Sequence, residues 1–191
     1  MNELLQLVAA GFPNDELPAI IQELFRYQTG TGEISGEFRV DHTGHRFIEN
    51  IPEPASFAPF GSNYTGSVYC IWSGEDSPIS YDEIENRPVV YLDSEAVYSS
   101  VISKNLRDFV SLLLVGHDDI GSLAGKNNLA PEGTPSKKVR RFRTWAEHSL
   151  GVSVATDPNQ VLREAKLKHH NDFVEWYNRW QGVDPWTNPP E

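Results

Sequence analysis

Apolar positions recur at two spacings along the chain, and each change of spacing marks an element. Pro18 followed by Ile21, Leu24 and Phe25, with Gly30 beyond them, predicts an amphipathic helix that ends near the glycine. From Ile34 to Val40 the spacing becomes strict alternation, with Ile34, Gly36, Phe38 and Val40 set against Ser35, Glu37 and Arg39, which predicts a half-buried strand. Arg46 to Ile48 reads as a short neighbouring strand. Two later runs, Val68-Tyr69-Cys70-Ile71-Trp72 and Val89-Val90-Tyr91-Leu92, are apolar on both faces and predict central strands covered on both sides. Between them, Ser73 to Arg87 carries Glu75, Asp76, Asp82, Glu83 and Glu85 with Gly74 and Pro78, a composition that predicts a solvated loop.

A strand is expected around Val97 to Ile102. Asn105 then supplies an N-cap to a helix whose Leu106, Phe109, Val110, Leu113 and Leu114 share one face and which Gly116 closes. Gly125 to Ser136 is rich in Gly, Asn and Pro and reads as a loop. A basic helix follows from Lys137 to about Leu150. Asp157-Pro158-Asn159-Gln160 starts a last helical segment running towards Gly182, either as one helix or divided in two at Asn171, which could cap a second. The Pro-rich stretch from Asp184 reads as a loose tail, and there is no internal repeat. Helices flanking a run of strands give an α+β class: a mixed or mainly antiparallel sheet flanked by helices, with a helical C-terminal extension. Residues 1–125 form the α+β body in this reading, and residues 126–191 the extension packed on it.

Charge is spread unevenly along the chain. The 191 residues carry a net charge of −11. Residues 1–125 hold 6 Lys and Arg against 19 Asp and Glu, whereas residues 126–191 hold 10 against 8. An acidic body repels nucleic acid and anionic membranes and speeds encounter with a basic partner, although the same charge also serves plain solubility. The single cysteine, Cys70, cannot form an intramolecular disulfide and sits in an apolar run, as a buried, inert thiol would. Met1 to Ala10 lacks a basic residue and has only a short apolar stretch, so neither a signal peptide nor a membrane span is expected, and the expected location is cytoplasmic.

Chemistry that demands fixed spacing is sparse. His42 and His45 flank Gly44 in an expected turn, and no cysteine or second histidine pair is spaced to complete a metal site. His117-Asp118-Asp119 follows a helix end, and His169-His170 lies in a polar helical stretch; solvated helix termini and faces account for both. Gly61 and Gly66 have phosphate-loop spacing, but Ser67 stands where a lysine is needed and a strand follows. No nucleophile elbow, kinase set or zinc-deaminase signature occurs. The cluster Lys137, Lys138, Arg140, Arg141 and Arg143, interleaved with Phe142 and Trp145, has the residue types of a phosphate-tracking surface, yet the acidic total opposes it. A solvated basic face with Phe142 and Trp145 turned into the core is the favoured reading.

Three stretches resemble one family. They are Ala55-Ser56-Phe57-Ala58-Pro59-Phe60-Gly61 through Gly66-Ser67-Val68-Tyr69, then Pro88-Val89-Val90-Tyr91-Leu92-Asp93-Ser94-Glu95, then Asn105-Leu106-Arg107-Asp108-Phe109 with the leucines after it. Together they look like the SUKH superfamily of Smi/Knr-like proteins, which takes in fungal cell-wall assembly regulators and many bacterial immunity proteins. The pattern covers roughly residues 14 to 116, and a tail with Asp157-Pro158, Ala165 and Asp172-Phe173-Val174-Glu175-Trp176 looks similar to an extension of some bacterial members. The span from Gly116 to Thr156 has no counterpart in it. The resemblance implies a sheet with helices packed around it, no catalytic residues, no cofactor, and neutralisation of a cognate toxin, commonly a nuclease or deaminase and hence basic. It brings no portable site residues. Exposure and charge nominate Glu75, Asp76, Asp82, Glu83 and Glu85 as the contact loop, with Asp118 and Asp119 as a second patch. Two other readings stay open: a regulatory protein-binding scaffold, and a hydrolase using His117 and Asp118.

Overall fold

Buried residues alternate between two cores on the opposite faces of one sheet. The structure, a computed structural model, describes residues 3–31, 34, 37–51, 53–74, 79–95, 97–130 and 133–181, with the backbone alone at Asp82. Five strands, β1 (Arg39–Val40), β2 (Phe57–Ser62), β3 (Val68–Trp72), β4 (Val89–Leu92) and β5 (Ser100–Ser103), lie side by side in chain order, each antiparallel to the next. On β3, Tyr69 and Ile71 enter one core while Val68, Cys70 and Trp72 enter the other; on β4, Val89 and Tyr91 oppose Val90 and Leu92 in the same way. This two-sided burial is what the unbroken apolar runs predicted. The class is α+β, and the sheet is antiparallel throughout its described strands.

The first face is covered by α1 (Glu3–Ala9), α2 (Ala19–Thr31), α4 (Leu106–Leu113), α5 (Ile120–Gly125) and α6 (Lys137–Leu150). Its centre is aromatic: Phe38 meets Tyr69 and Phe109 edge-on at 5.1 and 5.3 Å, and Phe60 meets Phe109 at 5.5 Å. The second face is covered by α3 (Gly44–Ile48) and α7 (Pro158–Gln181), with Trp72 and Trp176 packed against Phe57 and Phe173 against Trp72. Residues beyond 126 thus reach both cores, Phe142 and Leu162 on one side and Ala165, Phe173 and Trp176 on the other.

Side chains close the helix ends. Asn105 Oδ1 accepts from the Asp108 N–H at 2.8 Å to start α4, Ser136 Oγ accepts from the Val139 N–H at 3.2 Å to start α6, and Asp157 Oδ1 accepts from the Gln160 N–H at 3.0 Å in α7. Gly151, at φ +60°, ends α6. Arg143 of the basic helix donates to the Leu114 and Val115 carbonyls at 2.7 and 3.2 Å, binding the end of α4. Phe142 is fully buried and Trp145 half-buried against Tyr27, so this helix directs its aromatics inward as expected.

Several expectations are corrected. Arg46 to Ile48 is not a strand but part of α3: Asp41 Oδ1 accepts from the Thr43 N–H and Oγ, a side-chain turn that leads the backbone into a helical coil, and Ile48 joins the second core. The strand expected over Ile34 to Val40 is reduced to Arg39–Val40, with Ser35 and Gly36 outside the described residues; Ile34, Phe38 and Val40 are nevertheless buried. Gly30 lies inside α2. The strand placed at Val97 begins three residues later, because Val97 to Ser99 belongs to a side-chain-bonded turn. Ser73 to Arg87 is not wholly solvated: Tyr81–Asn86 is a 3-10 helix, with Ile79 and Ile84 buried. α7 runs unbroken through Asn171. The strand β2 and the helices α1 and α5 were not anticipated. β2 depends on Gly61, where a Cβ would lie 2.5 Å from the Arg39 carbonyl, so only glycine admits β1 this closely.

Trp176 is 1% exposed in the second core. Trp176→Ala is expected to cost about 3–5 kcal/mol in urea unfolding, as deletion of a buried indole does. A loss below about 1 kcal/mol would show that α7 does not seal that face.

Candidate functional site

Two turns at one end of the sheet are joined by buried side chains. The first, residues 63–67, links β2 to β3; the second, residues 93–99, links β4 to β5. Asn63, 2% exposed, accepts at Oδ1 from the Thr65 N–H, the Thr65 hydroxyl and the Ser67 N–H at 3.1, 2.7 and 3.0 Å, and donates from Nδ2 to the Tyr91 hydroxyl at 3.2 Å. Gly66, at φ +85°, completes the bend. In the second turn Asp93, 7% exposed, accepts from the Glu95, Val97 and Tyr98 N–H groups at 3.3, 3.1 and 2.9 Å. The Ser67 hydroxyl donates to Asp93 at 3.3 Å and accepts from the Ser94 N–H at 3.1 Å, while the Ser94 hydroxyl donates to the Thr65 carbonyl at 3.1 Å. Each turn is therefore held by its own polar residue and then tied to its neighbour.

The rigid end so made projects apolar and aromatic side chains into solvent. Tyr64 is 65%, Val97 61% and Tyr98 37% exposed. The Arg39 guanidinium lies 4.9 Å from the Tyr64 ring centroid and the Lys126 ammonium 4.7 Å from that of Tyr98, cation–π contacts that orient both rings. Carboxylates lie at the same end of the sheet. Asp41 stands 3.6 Å from Arg39 and accepts from Ser62 at 2.6 Å. The Asp118 carbonyl accepts from the Glu37 N–H at 2.7 Å, leaving the Asp118 side chain exposed, and Asp119 caps α5 by accepting from the Ser122 N–H at 3.1 Å. Burial pushes the Tyr69 phenol well up, and the field of Asp119, Tyr91 and Glu37 adds to the rise.

The nominated acidic patches are not brought together. Asp118 and Asp119 lie at this end, since Glu37 and Asp119 both act on Tyr69. Glu83 and Glu85 lie on the β3–β4 connection, which an antiparallel meander places at the opposite end. Glu83 is exposed and pairs with Arg87, and Glu85 is half-buried. Glu75 and Asp76 lie outside the described residues, as does the side chain of Asp82. His117 is half-buried with Nε2 lacking a partner. His45 lines a separate cleft of about 420 Å³ with Pro13, Glu49, Phe57 and Ile79. No group of three or more His, Cys, Asp or Glu suited to a metal ion occurs among the described residues. Among them, too, no helix is long and apolar enough to cross a membrane. Cys70 is fully buried, and burial pushes its thiol well up, which keeps it inert.

Tyr64, Val97 and Tyr98 were missed from sequence because single exposed apolar residues are ordinary on a surface. The available signal was polar: Asn63-Tyr64-Thr65-Gly66-Ser67 and Asp93-Ser94 are turn-forming sequences whose side chains bond their own backbone. Comparison with protein-family models, with curated proteins and with solved structures finds no match for this chain.

Asp93→Ala strips the acceptor from three N–H groups and should lower stability by about 1–3 kcal/mol, whereas Tyr64→Ala should stay within about 0.5 kcal/mol; urea unfolding of both measures the contrast. Equal losses would show that the two turns are not held through Asp93.

Burial lowers the His45, His169 and His170 imidazoles below the usual 6.5. The unfolded chain therefore binds more protons as pH falls through 6.5 towards the folded values, and stability declines over that window. Urea midpoints should drop between about pH 7.5 and about pH 5.5, and drop less in His45→Gln; an unchanged slope in that variant would remove His45 from the effect.

Proposed function

We propose that this chain is a non-catalytic, immunity-type protein that binds a basic bacterial toxin through the turn end of its sheet and covers the toxin's working surface. The observation that carries this reading is the exposed trio Tyr64, Val97 and Tyr98 on two turns braced by Asn63, Ser67 and Asp93. Anchors held rigid before contact lose little entropy on binding, and tyrosine beside arginine is the composition of energetic centres in interfaces. Exposed Asp118 and the Glu37 and Asp41 carboxylates add negative potential around those anchors, which suits a partner that itself binds nucleic acid. The SUKH resemblance of residues 14 to 116 supports the same role, with the partner a nuclease or deaminase met in the cytoplasm. Glu83 and Glu85, at the far end, contribute through the long-range field of the −11 charge.

The test is co-purification and co-expression with the protein encoded beside this one. A tight stoichiometric complex and protection from toxicity are expected. Tyr64→Ala with Val97→Asp should raise the dissociation rate by at least about tenfold, while Glu83→Lys with Glu85→Lys should act mainly on the association rate and fade with salt. A complex that forms equally well with the Tyr64 and Val97 double variant refutes the anchor; no complex and no protection refute the immunity reading for that neighbour.

A further inference from the structure

A cavity of about 640 Å³ opens between α7 and the turn after α5, far in charge from the rest of this acidic chain. Lys166, His170 and Arg163 of α7 line it together with Asn127, Leu162 and Leu167, and no Asp or Glu does. The α7 residues fall three and four apart, so one stripe of the helix faces the space. Lys166 is the unusual member. Its ammonium donates to the Ala124 carbonyl at 2.9 Å and to Asn127 Oδ1 at 2.6 Å, both neutral acceptors, and it makes no ion pair among the described residues.

We propose that this cavity is a binding site for a small aliphatic monocarboxylate, whose carboxylate takes the remaining N–H of Lys166 and whose hydrocarbon lies along Leu167. This site is independent of the toxin-binding reading. Lys166 is half-buried, and an ammonium partly withdrawn from water without a counter-charge carries a cost that an anion entering from solvent reduces. Burial pulls the Lys166 ammonium down to about 8; burial also lowers the His170 imidazole, and the Lys166 charge adds to that fall. His170 Nδ1 is buried and has no hydrogen-bond partner.

Two features select a monocarboxylate over phosphate. Arg163 is already engaged by Asp157 at 3.2 Å, which leaves Lys166 as the principal free charge and matches one negative charge better than two. Leu167, 88% exposed beside the ammonium, offers an apolar surface that a phosphate cannot use and an alkyl chain can. The volume lies within the usual range for small-ligand sites, about 300–1,000 Å³.

The experiment is a titration of the full chain with sodium butyrate at constant ionic strength, followed by amide chemical shifts and calorimetry, with sodium phosphate and 1-butanol as parallel arms. Saturable butyrate binding with a dissociation constant on the order of 1 mM is expected, with a rise in Tm at excess ligand. Leu167→Asp, at a position too exposed to affect folding, and Lys166→Met should each weaken binding by at least about tenfold. Should Lys166→Met fail to fold, Leu167→Asp decides alone. The proposal is overturned by absence of saturable binding up to about 50 mM butyrate, by phosphate or butanol binding as tightly, or by an affinity unchanged in Leu167→Asp.

Discussion

Burial of both faces of a five-strand sheet is the constraint on which the rest of this molecule depends. Every residue of β2, β3, β4 and β5 is buried, so neither face is open to solvent along these strands. Helices must cover both: α1, α2, α4, α5, α6 and the start of α7 on one side, α3 and the later part of α7 on the other. The chain leaves the sheet through turns that are themselves exposed, at Tyr64 to Gly66 and at Ser94, Glu95, Val97 and Tyr98. Among the described residues no strand pairs the N–H groups of Thr65, Ser67, Glu95, Val97 and Tyr98, which therefore require side-chain acceptors. Asn63 and Asp93 meet that requirement, which is why two polar residues are buried where the sheet stops.

Stiffness at the turn end follows from this packing and is not an added feature. A turn whose amides are satisfied by its own solvent-exposed polar side chains opens readily; one whose acceptor is buried and shared with the adjacent turn opens only if both do. Tyr64, Val97 and Tyr98 inherit that stiffness. The close approach of Gly121 to the Tyr91 ring and of Gly125 to the Tyr98 carbonyl draws α5 against the same turn from below, and Lys126, at the end of that helix, then reaches over the Tyr98 ring. Core packing and surface presentation are thus two consequences of the same contacts.

The legible part of the sequence was the part fixed by periodicity and caps. The runs Val68 to Trp72 and Val89 to Leu92 announce central strands because both faces are apolar, and Asn105 and Asp157 announce helix starts because their side chains replace missing backbone acceptors. β2 was illegible because Pro59 and Gly61 argue against a strand, yet both are accommodated at an irregularity in its pairing with β3. α5 was illegible because Ile120 to Gly125 is short and contains two glycines, and it forms only where Gly121 can slide under a tyrosine ring. At the candidate site, carboxylates were visible from composition, but which of them share a surface was not. That depends on the order of the strands, which sends Asp118 and Glu83 to opposite ends.

The distribution of charge has a structural logic that the totals conceal. The cationic C-terminal helices do not simply neutralise the acidic body. Arg143 is spent on the carbonyls closing α4 and Arg107 on the Leu150 and Gly151 carbonyls, so both serve as helix-end donors across element boundaries, while Lys104 pairs with the Glu164 carboxylate of α7. Lys166 does the same for the Ala124 carbonyl at the end of α5, but it alone of these lines a cavity of this size that no carboxylate lines. A cation placed for a structural reason, with one donor left facing an open space, is the arrangement from which a ligand site arises without disturbing the fold, because the fold has already met the cost of holding the charge there.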